Sequence, residues 1–204
     1  MGGSQNTSYD LVVFDVGGVL VQLTGLPQLI AWTGLNPDEL RERWLGMEAV
    51  RAFESGLLTW EQFAPRVLGE LRIPLTVEEF RGEMEGWMND LFPDVEPIVQ
   101  AVKRRHLVAC LCNMNPVQWP AIRDQLGIGA LFEHQFVSYE LGLVKPDLSI
   151  YRHVEEKMAV DSHRVVFFDD SRPNVVAANE AGWSAFLVRG TQELKQKLST
   201  LGLL

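Results

Sequence analysis

The residues best placed to do chemistry are three aspartates and a lysine. Asp15 ends the apolar run Leu11-Val12-Val13-Phe14 and is followed, after Val16, by two glycines. Asp169-Asp170 ends a second run beginning at Val165, and Lys145 lies between the two in Gly142-Leu143-Val144-Lys145-Pro146. A third run, from Leu107 to Leu111, stops at Cys112-Asn113. Short continuous apolar runs that end at polar residues or glycine read as buried strands stopping at tight loops. In a parallel sheet the loops at the carboxyl ends of the strands open on one crevice. Three carboxylates gathered there repel one another unless a cation sits among them. All-oxygen ligation with few protein ligands suits Mg²⁺. Lys145 could offset more of the charge, and a lysine, Mg²⁺ and backbone N–H groups together suit a phosphate. Taken singly, each residue has an ordinary reading. Asp15 could cap a turn, Asp169-Asp170 could cap the helix that follows, and Lys145 could be solvated. Their order and spacing point one way together.

The elements that must carry these residues alternate. Helical patterns fit residues 95–105, 116–127, 147–158 and 172–182, and weaker strands fit 135–138 and 184–188. Buried strands alternating with amphipathic helices predict an α/β fold, a three-layer, doubly wound, mostly parallel sheet. Residues 25–90 break the alternation. Asn36-Pro37-Asp38-Glu39 is a cap with proline at the first helical position. Thr59-Trp60-Glu61-Gln62 and Thr76-Val77-Glu78-Glu79 fit capping boxes. A bundle of four helices is therefore expected after the first strand. It holds Trp32, Trp44, Trp60 and Trp87, which are read as packing its own core, with one or two alternatively lining a pocket. The expected organisation is an α/β core formed by residues 9–24 and 91–204, an inserted helical cap at 25–90, and a disordered stretch at 1–8.

Composition narrows the function. The 204 residues carry 18 Lys+Arg against 27 Asp+Glu, a formal net charge of −9. An acidic chain is a poor binder of phosphate backbones, so no nucleic acid partner is expected. No run approaches about 18 apolar residues, so no membrane partner is expected either. Met1 to Ser8 has no apolar run of a secretory signal, and Asn6 stands where myristoylation needs Ser or Thr. Cys110 and Cys112, two apart on one strand, point the same way, a poor geometry for a disulfide. A reduced, cytoplasmic setting is expected. His106, His134, His153 and His163 have no partners at metal or triad spacing. The charged run Arg41-Glu42-Arg43, with Arg51 and Glu54, reads as a solvated face, one of whose arginines could reach a substrate. The apolar cap leaves monomer and homodimer both open.

In these residues the chain resembles the haloacid-dehalogenase superfamily of hydrolases over nearly its whole length. Four motifs carry the likeness: Phe14-Asp15-Val16-Gly17-Gly18-Val19-Leu20, Leu111-Cys112-Asn113, Lys145-Pro146, and Phe168-Asp169-Asp170-Ser171-Arg172-Pro173-Asn174. The inserted helices match the family's cap, and the core becomes the family's Rossmannoid sheet. Within the family the chain is similar to the bacterial alpha-D-glucose-1-phosphate phosphatase subgroup. That subgroup also has Gly two residues after the aspartate and a turn like Phe53-Glu54-Ser55-Gly56. The resemblance implies that Asp15 attacks phosphorus and forms an aspartyl-phosphate. It implies Mg²⁺ held by Asp15, the Gly17 carbonyl and Asp170, with Asp169 and Asn174 as close ligands or supports. Lys145 would bridge nucleophile and phosphoryl oxygens. Cys112 and the Asn113 N–H would hold the phosphate of a small phosphorylated metabolite.

Two departures from the family pattern matter. Most of its phosphatases have an acid/base Asp where this chain has Gly17, and such a group is worth about 10²–10⁴ in rate. Its loss favours leaving groups that need little help, such as the anomeric oxygen of a sugar 1-phosphate. Cys112 replaces Ser or Thr, and a thiol is a weaker donor; the bland reading is a small buried filler. The leading expectation is a Mg²⁺-dependent phosphatase. The alternatives are a non-catalytic or very slow phosphate-binding protein and a metal-free 2-haloacid dehalogenase. Asp169-Asp170 argues against the dehalogenase, because the pair would repel an anionic acid. Gly17 argues against a phosphoglucomutase.

Overall fold

The computed structural model describes residues 9–204, so the expectations for residues 1–8 lie outside the described residues. Five parallel strands form one sheet: β1 (Leu11–Phe14), β2 (Leu107–Cys112), β3 (His134–Val137), β4 (Val165–Asp169) and β5 (Ser184–Leu187), in the order β3-β2-β1-β4-β5. The chain leaves β1 toward β2 and β3, then returns to lay β4 and β5 on the other side. The switch therefore falls between β1 and β4, where ligands bind in open α/β sheets. Register places Phe14 beside both Cys110 and Phe168, so Asp15 and Asp169 lie level while β2 runs on to Cys112.

The period-two alternation of the strands sorts their residues into two buried layers. Val12, Phe14, Val108, Cys110, Cys112, Val166 and Phe168 pack with α6 (Val95–Lys103), α7 (Trp119–Asp124), α8 (Ile128–Leu131) and α12 (Gly190–Thr200). Leu11, Val13, Ala109, Leu111, Val165 and Phe167 pack with α10 (Leu148–Met158) and α11 (Arg172–Glu180) on the opposite face. A short helix, α9 (Ser138–Leu141), follows β3.

The insertion differs from expectation in one respect. It holds five helices rather than four: α1 (Leu26–Thr33), α2 (Pro37–Gly46), α3 (Glu48–Glu54), α4 (Trp60–Leu71) and α5 (Val77–Glu85). Met47, in extended conformation after Gly46, divides α2 from α3. The expected caps form. Asn36 Oδ1 accepts from the Glu39 N–H at 2.9 Å, and Thr76 and Glu79 bond reciprocally. Leu40, Phe53, Phe63, Val67 and Phe80 make a separate buried cluster in which Trp60 and Trp87 are buried and Trp32 and Trp44 are partly buried. Two adjacent connections join the insertion to the sheet. Gln22 and Thr24 donate backbone N–H bonds to the carbonyls of Asp90 and Trp87, each at 2.9 Å.

A second difference lies at residues 116–127, where the helix covers only Trp119–Asp124. Asn115 Oδ1 accepts from the N–H groups of Val117 and Gln118, each at 3.1 Å, which holds the chain in a turn before the helix starts. The weaker strands sit within one residue of their expected bounds.

Candidate active site

The site grows from the strand tips. Asp15, Asn113 and Asp169 occupy the positions that alternate with Phe14, Cys112 and Phe168, so period two sends them toward the α10/α11 layer. The segment after α9 brings Lys145 in from that same layer, over the Phe167 ring. Its ammonium donates to Asp15 Oδ1 at 2.8 Å, to Asp169 Oδ2 at 2.7 Å and to the Leu111 carbonyl at 2.9 Å. Burial alone would drive the lysine toward neutrality. Asp15 and Asp169 outweigh it and hold the ammonium charged well above the usual lysine range.

Asp169 is the most enclosed of the carboxylates. Besides Lys145 it accepts the Ser171 N–H at 2.8 Å, and Asn174 Nδ2 lies 3.1 Å from both its oxygens. Asn174 is fixed in turn by the Tyr151 hydroxyl, which donates to its carbonyl at 3.0 Å. Asp170 is partly exposed and lies against Gly18, where a Cβ would overlap its carboxylate. Gly18 also has a φ of 73°, so two independent constraints require glycine there.

Carboxylate oxygens of Asp15, Asp169 and Asp170 come within 4.8 Å of one another. Burial, then Asp169 and Asp170, push the Asp15 carboxyl well up, with Lys145 opposing. Burial and Asp169 raise Asp170 too, against Lys145, Arg41 and Arg189. One buried ammonium among three carboxylates leaves about two negative charges uncompensated, which fits a hard divalent cation. Asp15 and Asp170, with the Gly17 carbonyl two residues after Asp15, could hold it, and Asp169 is occupied in positioning Lys145.

Asn113 does more than the sequence indicated. Its side chain donates to the Lys145 carbonyl at 2.9 Å and accepts the Lys145 N–H at 2.8 Å, so it clamps the lysine's backbone. Cys112 is fully buried with its Sγ 3.9 Å from the Phe136 carbonyl. Burial raises both thiols, Cys110 to about 12 and Cys112 well above the usual range, so neither is a thiolate at neutral pH. At Gly17 an added Cβ would meet Met88 Cε at 3.2 Å and Leu23 Cδ2 at 3.3 Å, so apolar ends stand over that position.

Three further residues reach the site. Glu54 comes from the end of α3 in the cap, and Arg41 in α2 and Arg189 before α12 lie close enough to Asp170 to favour its charge. In the sequence Arg41 and Glu54 belong to a run of ordinary surface charges, and Arg189 carries no motif. The histidines have structural neighbours instead: His106 Nδ1 lies 2.9 Å from the Tyr9 carbonyl, and His153 packs edge-on to Phe136.

Comparison with known proteins agrees with this geometry. Residues 9–182 match the model of the haloacid dehalogenase-like hydrolase family. The chain is 26 % identical over 190 residues to a phosphoglycolate phosphatase of Haemophilus influenzae, covering 87 % of this chain and 84 % of that one. It is 24 % identical over 200 residues to a D-ribitol-5-phosphate phosphatase of Bacteroides thetaiotaomicron, covering 93 % and 97 %. Its fold matches a family enzyme of that organism, bt-2542, solved with magnesium and inorganic phosphate, at a TM-score of 0.72 and 20 % identity, covering 89 % and 95 %. Among the described residues no helix is long and apolar enough to cross a membrane. With its motifs in place, the family model matched over most of its length and phosphatases among its relatives, the chain belongs to the haloacid dehalogenase-like hydrolases.

Proposed function

We propose that the protein is a Mg²⁺-dependent phosphatase of a small phosphorylated metabolite, working through an aspartyl-phosphate on Asp15. The observation that carries the reading is the single ammonium of Lys145 set between Asp15 and Asp169, with Asp170 beside them. A metal-free dehalogenase has no use for the leftover negative charge, which would repel its anionic substrate. When bound, Mg²⁺ would neutralise that charge and draw a phosphoryl oxygen toward Asp15.

The chain's own groups would do the rest. Lys145 aims Asp15 and opposes the burial that favours its neutral form, and it would meet a phosphoryl oxygen by exchanging one of its bonds. The Asn113 N–H, at the tip of β2, contributes to the phosphate site, and its side chain keeps Lys145 in register. Asp169 and Asn174 orient the lysine. Arg41 and Arg189 give the entrance positive charge suited to an anionic substrate. Cys112 contributes shape in this reading, since a neutral buried thiol facing a carbonyl is a weak phosphate donor.

The nucleophile loop itself offers no proton donor to the leaving oxygen, because Gly17 stands in that place. The loop therefore suits a sugar phosphate with a good leaving group, such as a 1-phosphate. We place the cap at residues 25–90 and the core at 9–24 and 91–204. The free Cys110 and Cys112 fit a cytoplasmic setting.

The test is a phosphate-release screen over sugar, acyl and nucleotide phosphates, with and without Mg²⁺, beside Asp15→Asn. Release that needs both Mg²⁺ and Asp15, with Asp15→Asn lowering turnover by about 10³-fold or more, is the expected result. Binding of Mg²⁺ and phosphate with no release from any substrate would favour the phosphate-binding alternative, for which Gly17 is the motivating residue. Release independent of Mg²⁺ would overturn the proposal.

A further inference from the structure

The cap sends one carboxyl group into the site, and its placement is built rather than incidental. Glu54 ends α3, where its neighbour Phe53 faces the other way and stacks on Phe63 at 4.1 Å between ring centroids. Ser138 Oγ donates to the Glu54 carbonyl at 2.5 Å, tying this backbone to α9 of the core. Two residues on, Gly56 has a φ of 72° and lies so close to the Tyr139 carbonyl that a Cβ would overlap it. One turn earlier Arg51 pairs with Asp147, just before α10. The end of α3 is thus held to the core at three points.

Ser138 Oγ also accepts the Met114 N–H at 2.9 Å, so Glu54 is seated beside the tip of β2, where Asn113 and Lys145 favour its charged form. Asn113 in turn grips the Lys145 backbone, and Lys145 grips Asp15. Glu54 is thus a cap residue linked to the nucleophile through Asn113 and Lys145, and a leaving group that projects toward the cap would meet it. At Gly17 the loop offers no side chain, and Met88 and Leu23 close the space over it.

We propose that Glu54 is the general acid and then the general base of the reaction, supplied by the cap in place of the group missing at Gly17. The inference rests on the phosphatase reading above and adds a catalytic residue to it. In the first step Asp15 Oδ attacks phosphorus, the bond from phosphorus to the leaving oxygen breaks, and the Glu54 carboxyl gives its proton to that oxygen. In the second step the Glu54 carboxylate takes a proton from water as the water oxygen attacks phosphorus. The bond from phosphorus to Asp15 breaks, and Asp15 and inorganic phosphate are released. Protons balance over the cycle, and no further reactant is needed. With a proton donor on the cap, the enzyme is not confined to leaving groups that depart unaided.

The electrostatics agree. Burial pushes the Glu54 carboxyl up to about 7, against Lys145, the Asn113 amide and Arg51, which favour its charged form. A carboxyl near 7 is protonated often enough to act first as acid and ionised often enough to act next as base. The charged groups around it are Arg51 on its own helix, Asp147 paired with that arginine, and Lys145. Ser138 and Tyr139 face it from α9.

The test compares β-glycerol phosphate, whose leaving alkoxide needs a proton, with p-nitrophenyl phosphate, whose leaving group does not. Glu54→Gln is expected to lower kcat/KM for glycerol phosphate by about 10²-fold and to change it for p-nitrophenyl phosphate by less than about threefold. With p-nitrophenyl phosphate the variant should accumulate trapped phosphoenzyme, because water is no longer activated. In the wild-type protein the ratio of the two kcat/KM values should fall as pH rises through about 7, where Glu54 loses its proton. The last measurement needs no variant and so survives a folding failure. Equal losses on both substrates, or a wild-type ratio flat with pH, would overturn Glu54 while leaving Asp15-dependent release intact. Absence of any Asp15-dependent release would instead strike the phosphatase reading beneath it.

Discussion

The strand-tip site and the cap interior are held together by opposite means. At the tips the lysine and its two carboxylate partners are tied by hydrogen bonds: Asp169 alone accepts from Lys145, Ser171 and Asn174. Such a network fixes positions tightly but is costly to leave half-made, because an orphaned buried charge has no solvent to fall back on. The cap interior is a pile of rings. Phe53, Trp60, Phe63, Phe80 and Trp87 stack, tilt or meet edge-on at centroid distances from 4.1 to 6.4 Å. That packing is weakly directional and stabilises by area. The cap then touches the site through a few polar arms. Precision and bulk stability are thus assigned to different parts of the chain.

Three substitutions would sharpen or break this contrast. Lys145→Met removes the one ammonium from among three carboxylates. It should cost about 3–5 kcal/mol in urea unfolding as well as activity. A cost near zero would mean that the strand tips do not depend on the ion pairs. Phe63→Ala opens a hole in the ring pile and should cost about 3 kcal/mol. If a cap repair were that easy, Tm would barely move, and the pile would not be the source of the cap's stability. Arg51→Ala breaks a pair whose side chains are 46 % and 47 % exposed. Solvent screening limits its value to about 1 kcal/mol or less, so global stability should hardly change. Its signature would be looser docking of α3, read as faster amide hydrogen exchange around Ser55 and Gly56.

What the sequence made legible follows the same division. The three central strands are buried on both faces, so they read as unbroken apolar runs, and their polar end residues announce the site. The edge strands β3 and β5 have half-buried residues and read more weakly, yet their bounds fall within one residue of expectation. The helix expected at 116–127 was shortened by a single side chain, Asn115, whose turn competes with the helix. Met47 split the cap helix without a proline to mark it. Asp15, Lys145, Asp169 and Asp170 were found because local chain order places them. Glu54 was visible only as part of a turn and of a charged surface run, since its place beside the β2 tip depends on Ser138 and Tyr139, more than 80 residues away. The clamp of Asn113 on Lys145 was hidden for the same reason.

The Lys145 ammonium has one consequence for affinity. It has three protons, and Asp15, Asp169 and the Leu111 carbonyl already engage all of them. An incoming phosphoryl oxygen can win one only by exchange, displacing a bond that is already satisfied. The gain on binding is then the difference between two good hydrogen bonds rather than the whole of one. A fully engaged lysine would hold inorganic phosphate loosely, and product would leave without a second penalty.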